Sequence, residues 1–409
     1  MKILIVAEDF PWPSGGGGLM RLAKCIEAIS HLGETDLFTL RDEGRTDIVV
    51  PRSVSLRRLE TASYPSAPSP LRWRSAWLAQ RGLPLEMVMR KGDRAPRTAF
   101  EAWASDSYDV VWFSTALTYA WMGRPRLGPT IVDLMDLEDV KARQRMELLR
   151  AQRRGNGVST SIRCTAAAVQ AQKNSVDWQS FQRSIASEVE RVILCSDVDV
   201  QRSGLPNAYA IPNAYSRPDR SVGHMQVGDP PVILLPGSLR YAPNIDAVDW
   251  LIDGIAPLLR ERVPLAQIRL VGRPTPAVAS RNHPPFVTVV GGVQDMEPEL
   301  ARADIVIVPL RIGSGTRLKI LEAFAHRVPV VSTTLGADGL DVKDGVHLLL
   351  ADDEPSIAHA CQRLLQNPDL RMRIVDAAED LYLQRYEWST VESQLQQLVN
   401  DVAEAPAGN

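Results

Sequence analysis

The stretch IVIVPLRIGSGTRLKILEAFA, Ile305–Ala325, decides the fold class. Four consecutive β-branched apolar residues, Ile305–Val308, suit a strand buried on both faces, as parallel strands are. Gly313, Ser314, Gly315 and Thr316 then break the pattern. Leu318, Ile320, Leu321, Phe324 and Ala325 return at helical spacing. A strand, a glycine loop and a helix in that order make one half of a βα unit. Bare amides at a helix start, with Arg317 and Lys319 beside them, suit a diphosphate. Glu322, one turn after Lys319, is a hydrogen-bond acceptor for a ribose diol. A plain glycine turn with solvated charges would look much the same in this one loop.

The same alternation extends in both directions. Candidate strands in the first half are Ile3–Val6, Asp36–Thr39, Val110–Phe113, Thr130–Val132 and Val192–Leu194. In the second half they are Val232–Leu235, Ile268–Val271, Val287–Val290, Ile305–Val308 and Pro329–Ser332. Val248, Leu251, Ile252, Ile255, Leu258 and Leu259 form one helical stripe. Ser216–Pro231, SRPDRSVGHMQVGDPP, has no period and reads as a linker, giving domains at 1–215 and 232–385. Two domains fit a chain of 409 residues at roughly 100–200 residues each.

Composition excludes several classes. Lys plus Arg is 46 against 49 for Asp plus Glu, a net charge of −3, so the strongly basic balance of a general nucleic-acid binder is missing. No run approaches the ~18 apolar residues of a membrane-spanning helix. MKILIVAEDF meets Glu8 and Asp9 too early for a secretory leader and reads as a first strand. Cys25, Cys164, Cys195 and Cys361 are dispersed, with neither zinc-ligand nor disulfide spacing, which points to the cytoplasm. From Leu71 to Arg97 seven basic residues surround Trp73 and Trp77. A solvated helix with two core tryptophans is the preferred reading; an acceptor- or membrane-facing surface, with peripheral membrane contact, is the other.

Open α/β sheets bind ligands beyond the carboxyl ends of their strands. Four strand ends in the second half carry suitable residues. Gly237, Ser238, Arg240 and Asn244 follow the first, Gly272 and Arg273 the second, Gly291 and Gly292 the third, and the Gly313–Thr316 loop the fourth. In the first half Gly15–Gly18 precede a helix, so Gly16 and Gly17 are further candidates for an anion. Their spacing is not that of a dinucleotide fingerprint.

Six consecutive blocks, GSLRYAPNIDAVDWL, LVGRPTP, VVGGVQDMEPELARADIVIVPL, RIGSGTRLKILEAFA, VPVVSTTLGADGL and LQRYEWSTV, keep their order and spacing. Over roughly Pro231–Val391 the chain resembles the retaining nucleotide-sugar glycosyltransferases of family four. The first half resembles them less closely, through its glycine loop, DLMDLEDV, CSDVDVQRSG and AIPNAY. The resemblance implies the GT-B fold: an α/β protein of two Rossmann-like domains with parallel sheets facing across a cleft. It implies a nucleoside diphosphate sugar bound by the second domain and an acceptor hydroxyl by the first, with the segment beyond Tyr386 returning to the first domain. Acceptors compatible with it are a sugar, a lipid-linked glycan or a small molecule. No metal and no separate cofactor are expected.

By the same resemblance Glu322 is the glutamate that contacts the donor ribose, Gly313–Thr316 surround the diphosphate and sugar, and Arg317 and Lys319 are the cations for the leaving group. Three departures stand out. Ser314 replaces the family's first glutamate. Arg327, preceded by His326, replaces a common glycine. The first half has only His31, so no cleft histidine is evident. Asp133 and Asp136, at a strand end, could instead orient or deprotonate the acceptor, or cap the next helix. A catalytically silent nucleotide-binding partner and a nucleotide-sugar epimerase are the alternatives.

Overall fold

In a computed structural model the chain is described at residues 1–12, 17–41, 49–65, 77–78, 80–90, 92–152, 158–219, 227–313 and 317–405. It divides into two compact units, Met1–Pro212 with Glu392–Asn409, and Asn213–Val391. Each unit has its own parallel sheet.

The first sheet contains β1 (Lys2–Ala7), β2 (Glu34–Arg41), β3 (Arg58–Ser63), β4 (Val110–Phe113), β5 (Thr130–Met135), β6 (Arg191–Leu194) and β7 (Ala208–Ala210). Their order is β3-β2-β1-β4-β5-β6-β7. Ile3, Leu4, Ile5, Val6, Ile131, Val132 and Ile193 are fully buried, so the apolar runs lie at the sheet's centre. The chain's final helix, Trp388–Glu404, contributes to this unit, where Gln396 Nε2 donates to Ala28 O at 2.9 Å.

The second sheet contains β8 (Val232–Pro236), β9 (Gln267–Val271), β10 (Val287–Gly291), β11 (Ile305–Val308), β12 (Val330–Ser332) and β13 (Leu349–Leu350). Their order is β10-β9-β8-β11-β12-β13. The order reverses beside β8, between β9 and β11. That is the switch point at which open α/β sheets leave a ligand crevice beyond the strand ends.

All ten strands expected from the sequence form, five of them one or two residues longer. The three extra strands, β3, β7 and β13, sit at sheet edges. RLETAS, AYA and LL offer no buried apolar run, and β3 has no buried residue at all. The stripe from Val248 to Leu259 is helical but not uniform. Ala242–Trp250 and Ala256–Arg262 are α-helical, and Leu251–Ile255 between them form a π turn. Gly254 falls in that turn, where an added Cβ would lie 2.9 Å from Glu354 Cγ. Trp250 Nε1 donates to the Glu354 carboxylate at 2.5 Å, locking the approach.

The polar stretch after β5 forms two helices, Glu138–Gln152 and Val158–Ala186. Trp77 is buried, with Lys173 Nζ 4.6 Å from its ring centroid, so it is a core tryptophan. Trp73 lies outside the described residues. Among the described residues no helix is long and apolar enough to cross a membrane.

Arg327 has a φ of +58°. Left-handed backbone costs a non-glycine residue roughly 1–2 kcal/mol. Arg327 offsets that by ion pairing with Asp376 at 2.5 Å and with Glu379.

Candidate functional site

The helix Leu318–Ala325 follows β11 and carries Lys319 and Glu322 one turn apart. Its apolar face, Ile320, Leu321, Ala323 and Phe324, is buried against the second sheet, so its polar residues are fixed at the strand ends. Lys319 Nζ donates to Asn244 Oδ1 at 2.8 Å. Asn244 is itself buried and donates through Nδ2 to Ser238 O at 2.9 Å. The loop after β8 and the helix after β11 are thus tied together by one asparagine.

Glycine is required where these loops approach the cations. Gly237 has φ +130°, and an added Cβ would lie 3.0 Å from Asn244 Nδ2 and 3.1 Å from Lys319 Nζ. Gly272 has φ +145°, and its Cβ would lie 1.9 Å from Gly237 O, inside the backbone. Gly313 has φ +128°, and its Cβ would lie 2.9 Å from Arg317 Nη2. Gly237 and Gly313 thus leave only backbone against Lys319 and Arg317, and Gly272 lets the next loop pack on Gly237.

Burial shifts the charges of this group. Lys319 is lowered to about 7, first by desolvation and then by the nearby Arg317 guanidinium, against the pull of Glu322. Glu322 is raised to about 7 by burial, with Asp295 adding repulsion, against the opposing influence of Tyr215 and the attraction of Lys319. Arg317 is 9% exposed. Desolvated cations suit a ligand that brings negative charge.

Gly237, Asn244, Gly313, Arg317, Lys319 and Glu322 therefore come together, with Ser238 and Gly272 supporting them through their backbone. Arg240 and Arg273 are exposed on the rim formed after β8 and β9, where Arg240 Nε contacts Pro274 O at 3.4 Å. Gly16, Ser314, Gly315 and Thr316 lie outside the described residues. Gly17 is exposed at the start of the helix Gly17–Ser30.

In the first unit the two aspartates separate. Asp133 is buried and accepts from Arg21 Nη2 at 3.0 Å and from the Met135 amide at 2.9 Å. Arg21 Nη1 also donates to Ile211 O at 3.0 Å. Burial raises Asp133 despite its partner. This is an internal strut, with both carboxylate oxygens engaged. Asp136 stays partly exposed and pairs with Lys141 at 2.6 Å. Among the described residues no group of three or more His, Cys, Asp or Glu is placed to hold a metal ion.

Two residues around Glu322 were not singled out by sequence. The Tyr215 hydroxyl lies 3.5 Å from His326 Nε2, and Tyr215 opposes the rise that burial imposes on Glu322. Tyr215 sits just ahead of the apparent linker, which hides it, yet it is part of the second unit. The available signal is the i, i+4 spacing of Glu322 and His326, which puts both on one helix face.

Residues 230–367 match the family model described as glycosyl transferases group 1. This chain resembles the group 1 glycosyltransferases. The match takes in β8 to β13 and all of the residues gathered above except Tyr215. Over 103 residues the chain is 36% identical to phosphatidyl-myo-inositol mannosyltransferase of Mycobacterium leprae, covering 25% of this chain and 27% of that protein. The chain thus spans about a quarter of the length of that curated relative. Among solved structures, sucrose-phosphate synthase from Thermosynechococcus elongatus superimposes with a TM-score of 0.69 at 18% identity, covering 99% of this chain and 100% of that one. HepE from Anabaena in complex with UDP does so at 0.63 and 13%, covering 98% and 100%. These likenesses establish the fold, which is GT-B.

Proposed function

We propose that this protein is a glycosyltransferase that moves a sugar from a nucleoside diphosphate donor to an acceptor hydroxyl with retention, in glycan or glycosylated natural-product synthesis. The observation that carries this reading is the Lys319–Asn244–Gly237 constellation, with Arg317 and Glu322 beside it, at the switch point of the second sheet. The group 1 match over the same residues and the UDP complex of a structural neighbour support it.

In this reading Arg317 and Lys319 meet the charge that grows on the leaving diphosphate as the glycosidic bond breaks. Held in place beforehand and partly desolvated, they need little reorganisation in the transition state. Glu322 accepts the ribose hydroxyls and sets the donor's register. The Gly237 and Gly313 turns admit the phosphates to the cations. The charge is supplied by side chains, so activity is expected to survive chelators. Asp136, partly exposed at the end of β5, is assigned to orienting the acceptor hydroxyl; Asp133 holds Arg21 instead.

The test is release of nucleoside diphosphate from UDP-glucose, GDP-mannose, ADP-glucose and dTDP-glucose, with and without a panel of sugar and lipid-linked acceptors. Acceptor-stimulated release from one donor, lost in Glu322→Ala, is the expected result. Binding without any release would make the protein a silent partner. A changed sugar still attached to its nucleotide would make it an epimerase.

A further inference from the structure

Arg311 stands between the end of β11 and Gly313, and one helix holds its guanidinium on two sides. Nε donates to Asp246 Oδ2 at 3.0 Å and Nη2 to Asp246 Oδ1 at 2.7 Å, a bidentate fork. The guanidinium carbon lies 4.9 Å from the centroid of the Trp250 ring. Asp246 and Trp250 are four apart on the helix Ala242–Trp250, so they share a face and form one seat. The Trp250 ring is itself fixed by its bond to Glu354.

Burial does not demand this arrangement, since the Arg311 side chain is 37% exposed. Exposed ion pairs usually contribute little, because holding two long side chains in one geometry costs entropy. An arginine both forked and stacked is better held, and what it fixes is the backbone that carries it. That backbone is tied on its other side too. Thr333 Oγ1 donates to Leu310 O at 2.6 Å, and Ile312 is buried. It then runs into Gly313, which lies so close to the Arg317 guanidinium that an added Cβ would be 2.9 Å from Nη2. The same helix holds Lys319 as well, through Asn244 Oδ1 at 2.8 Å from Nζ.

We infer that Asp246 and Trp250 are positioning residues that seat Arg311, and through it hold Gly313 and Arg317 where the donor's diphosphate meets them. The inference rests on the donor-site reading above and gives that site an outer support. Arg311 is engaged by Asp246 and acts as a strut, not as a phosphate ligand. The helix Ala242–Trp250 thereby fixes Arg311 and Lys319, one on either side of Arg317 in the chain. Charge gives the inference a sign. Asp246 is an anion close to a site for an anionic ligand. By charge alone, Asp246→Asn removes a repulsion, releases a cation and strengthens donor binding. Loss of a positioning residue weakens it.

The experiment is calorimetric binding of UDP-glucose, GDP-mannose, ADP-glucose and dTDP-glucose, continued with whichever binds most tightly. Asp246→Asn is expected to weaken that binding about fivefold, the upper end for an exposed pair of good geometry. Arg311→Lys keeps the charge but not the fork and is expected to match it. Arg311→Met loses fork and stacking together, and about tenfold is expected. Asp246→Glu keeps a carboxylate and is expected to recover to within about twofold of wild type. Melting temperatures of all four variants are expected to stay within a few degrees of wild type.

Unchanged or tighter binding in Asp246→Asn, while Glu322→Ala abolishes it, overturns this inference and leaves the donor site standing. Tighter binding there with a loss in Arg311→Met makes Arg311 a phosphate ligand instead. An Asp246→Glu protein as weak as Asp246→Asn, or affinity losses that follow lowered melting temperatures, also overturn the inference. Binding of none of the four donors, or unchanged binding in Glu322→Ala, overturns the donor site and the inference with it. Should Arg311→Met fail to fold, Asp246→Asn and Arg311→Lys decide.

Discussion

Lys319 offers a prediction whose size follows from its surroundings. Burial and Arg317 hold it at about 7 before the donor arrives. A bound diphosphate brings negative charge and restores the ammonium toward its ordinary range near 10.4. The sign follows directly. The free protein holds the proton less tightly than the complex, so binding takes up a proton and affinity falls as pH rises through the free-state value. With a midpoint of about 7, half of the free protein carries charged Lys319 at pH 7 and about one molecule in a hundred at pH 9. Donor affinity is therefore expected to fall about fiftyfold over that range, close to 2.3 kcal/mol. Titration calorimetry in two buffers of different ionisation heat measures the affinity and counts the proton. Lys319→Met, which fills the space without charge, is expected to bind more weakly at pH 7 and to lose the basic limb. A flat affinity between pH 7 and 9 in the wild type would refute the reasoning. So would a basic limb of the same depth in Lys319→Met.

Three further outcomes follow from the same geometry. Gly237→Ala drives a Cβ against Asn244 and Lys319, so donor affinity is expected to drop at least tenfold, a loss of about 1.4 kcal/mol; Gly345→Ala, with φ +71° but open space around it, is the control that carries backbone strain alone. Asp133→Ala leaves Arg21 buried without its carboxylate, and denaturant unfolding is expected to show a loss of about 3–5 kcal/mol, the usual result of halving a buried pair. Asn244→Ala frees Lys319 Nζ from its anchor and is expected to weaken donor binding several-fold in calorimetry while leaving the melting temperature within a few degrees.

Much of the fold was legible because parallel strands buried on both faces announce themselves. IVIV at Ile305–Val308 and VVWF at Val110–Phe113 form strands with the expected bounds. RLETAS at β3 was not legible. It is an edge strand with no buried residue, and its pairing is set by β2 rather than by its own pattern. The π turn at Leu251–Ile255 was also hidden, since its apolar stripe continues at a spacing an α-helix accepts; Gly254 against Glu354 is what marks it.

The candidate site divides in the same way. Gly237, Asn244, Gly313, Arg317, Lys319 and Glu322 were legible because glycine loops and cations at consecutive strand ends leave a local trace. Tyr215 was not, because its partner Glu322 lies 107 positions away and only folding of the second unit brings them together. Asp133 looked like a chemical residue at a strand end. Its engagement by Arg21 depends on a helix 112 positions earlier, which nothing local in DLMDLEDV records. Arg327 at a left-handed position is a similar case: the local sequence shows a missing glycine, while the ion pairs that make the exchange tolerable come from Asp376 and Glu379 on a later helix.

The central claim is that the group around Lys319 and Glu322 is a nucleotide-sugar site. Calorimetry of UDP, GDP, ADP and dTDP binding to the whole chain, with and without EDTA, tests it most directly. One nucleotide binding well above the others, unaffected by EDTA and weakened at least tenfold by Glu322→Ala, is the predicted result. No binding by any of the four, or binding indifferent to both Glu322→Ala and Lys319→Met, would contradict the account.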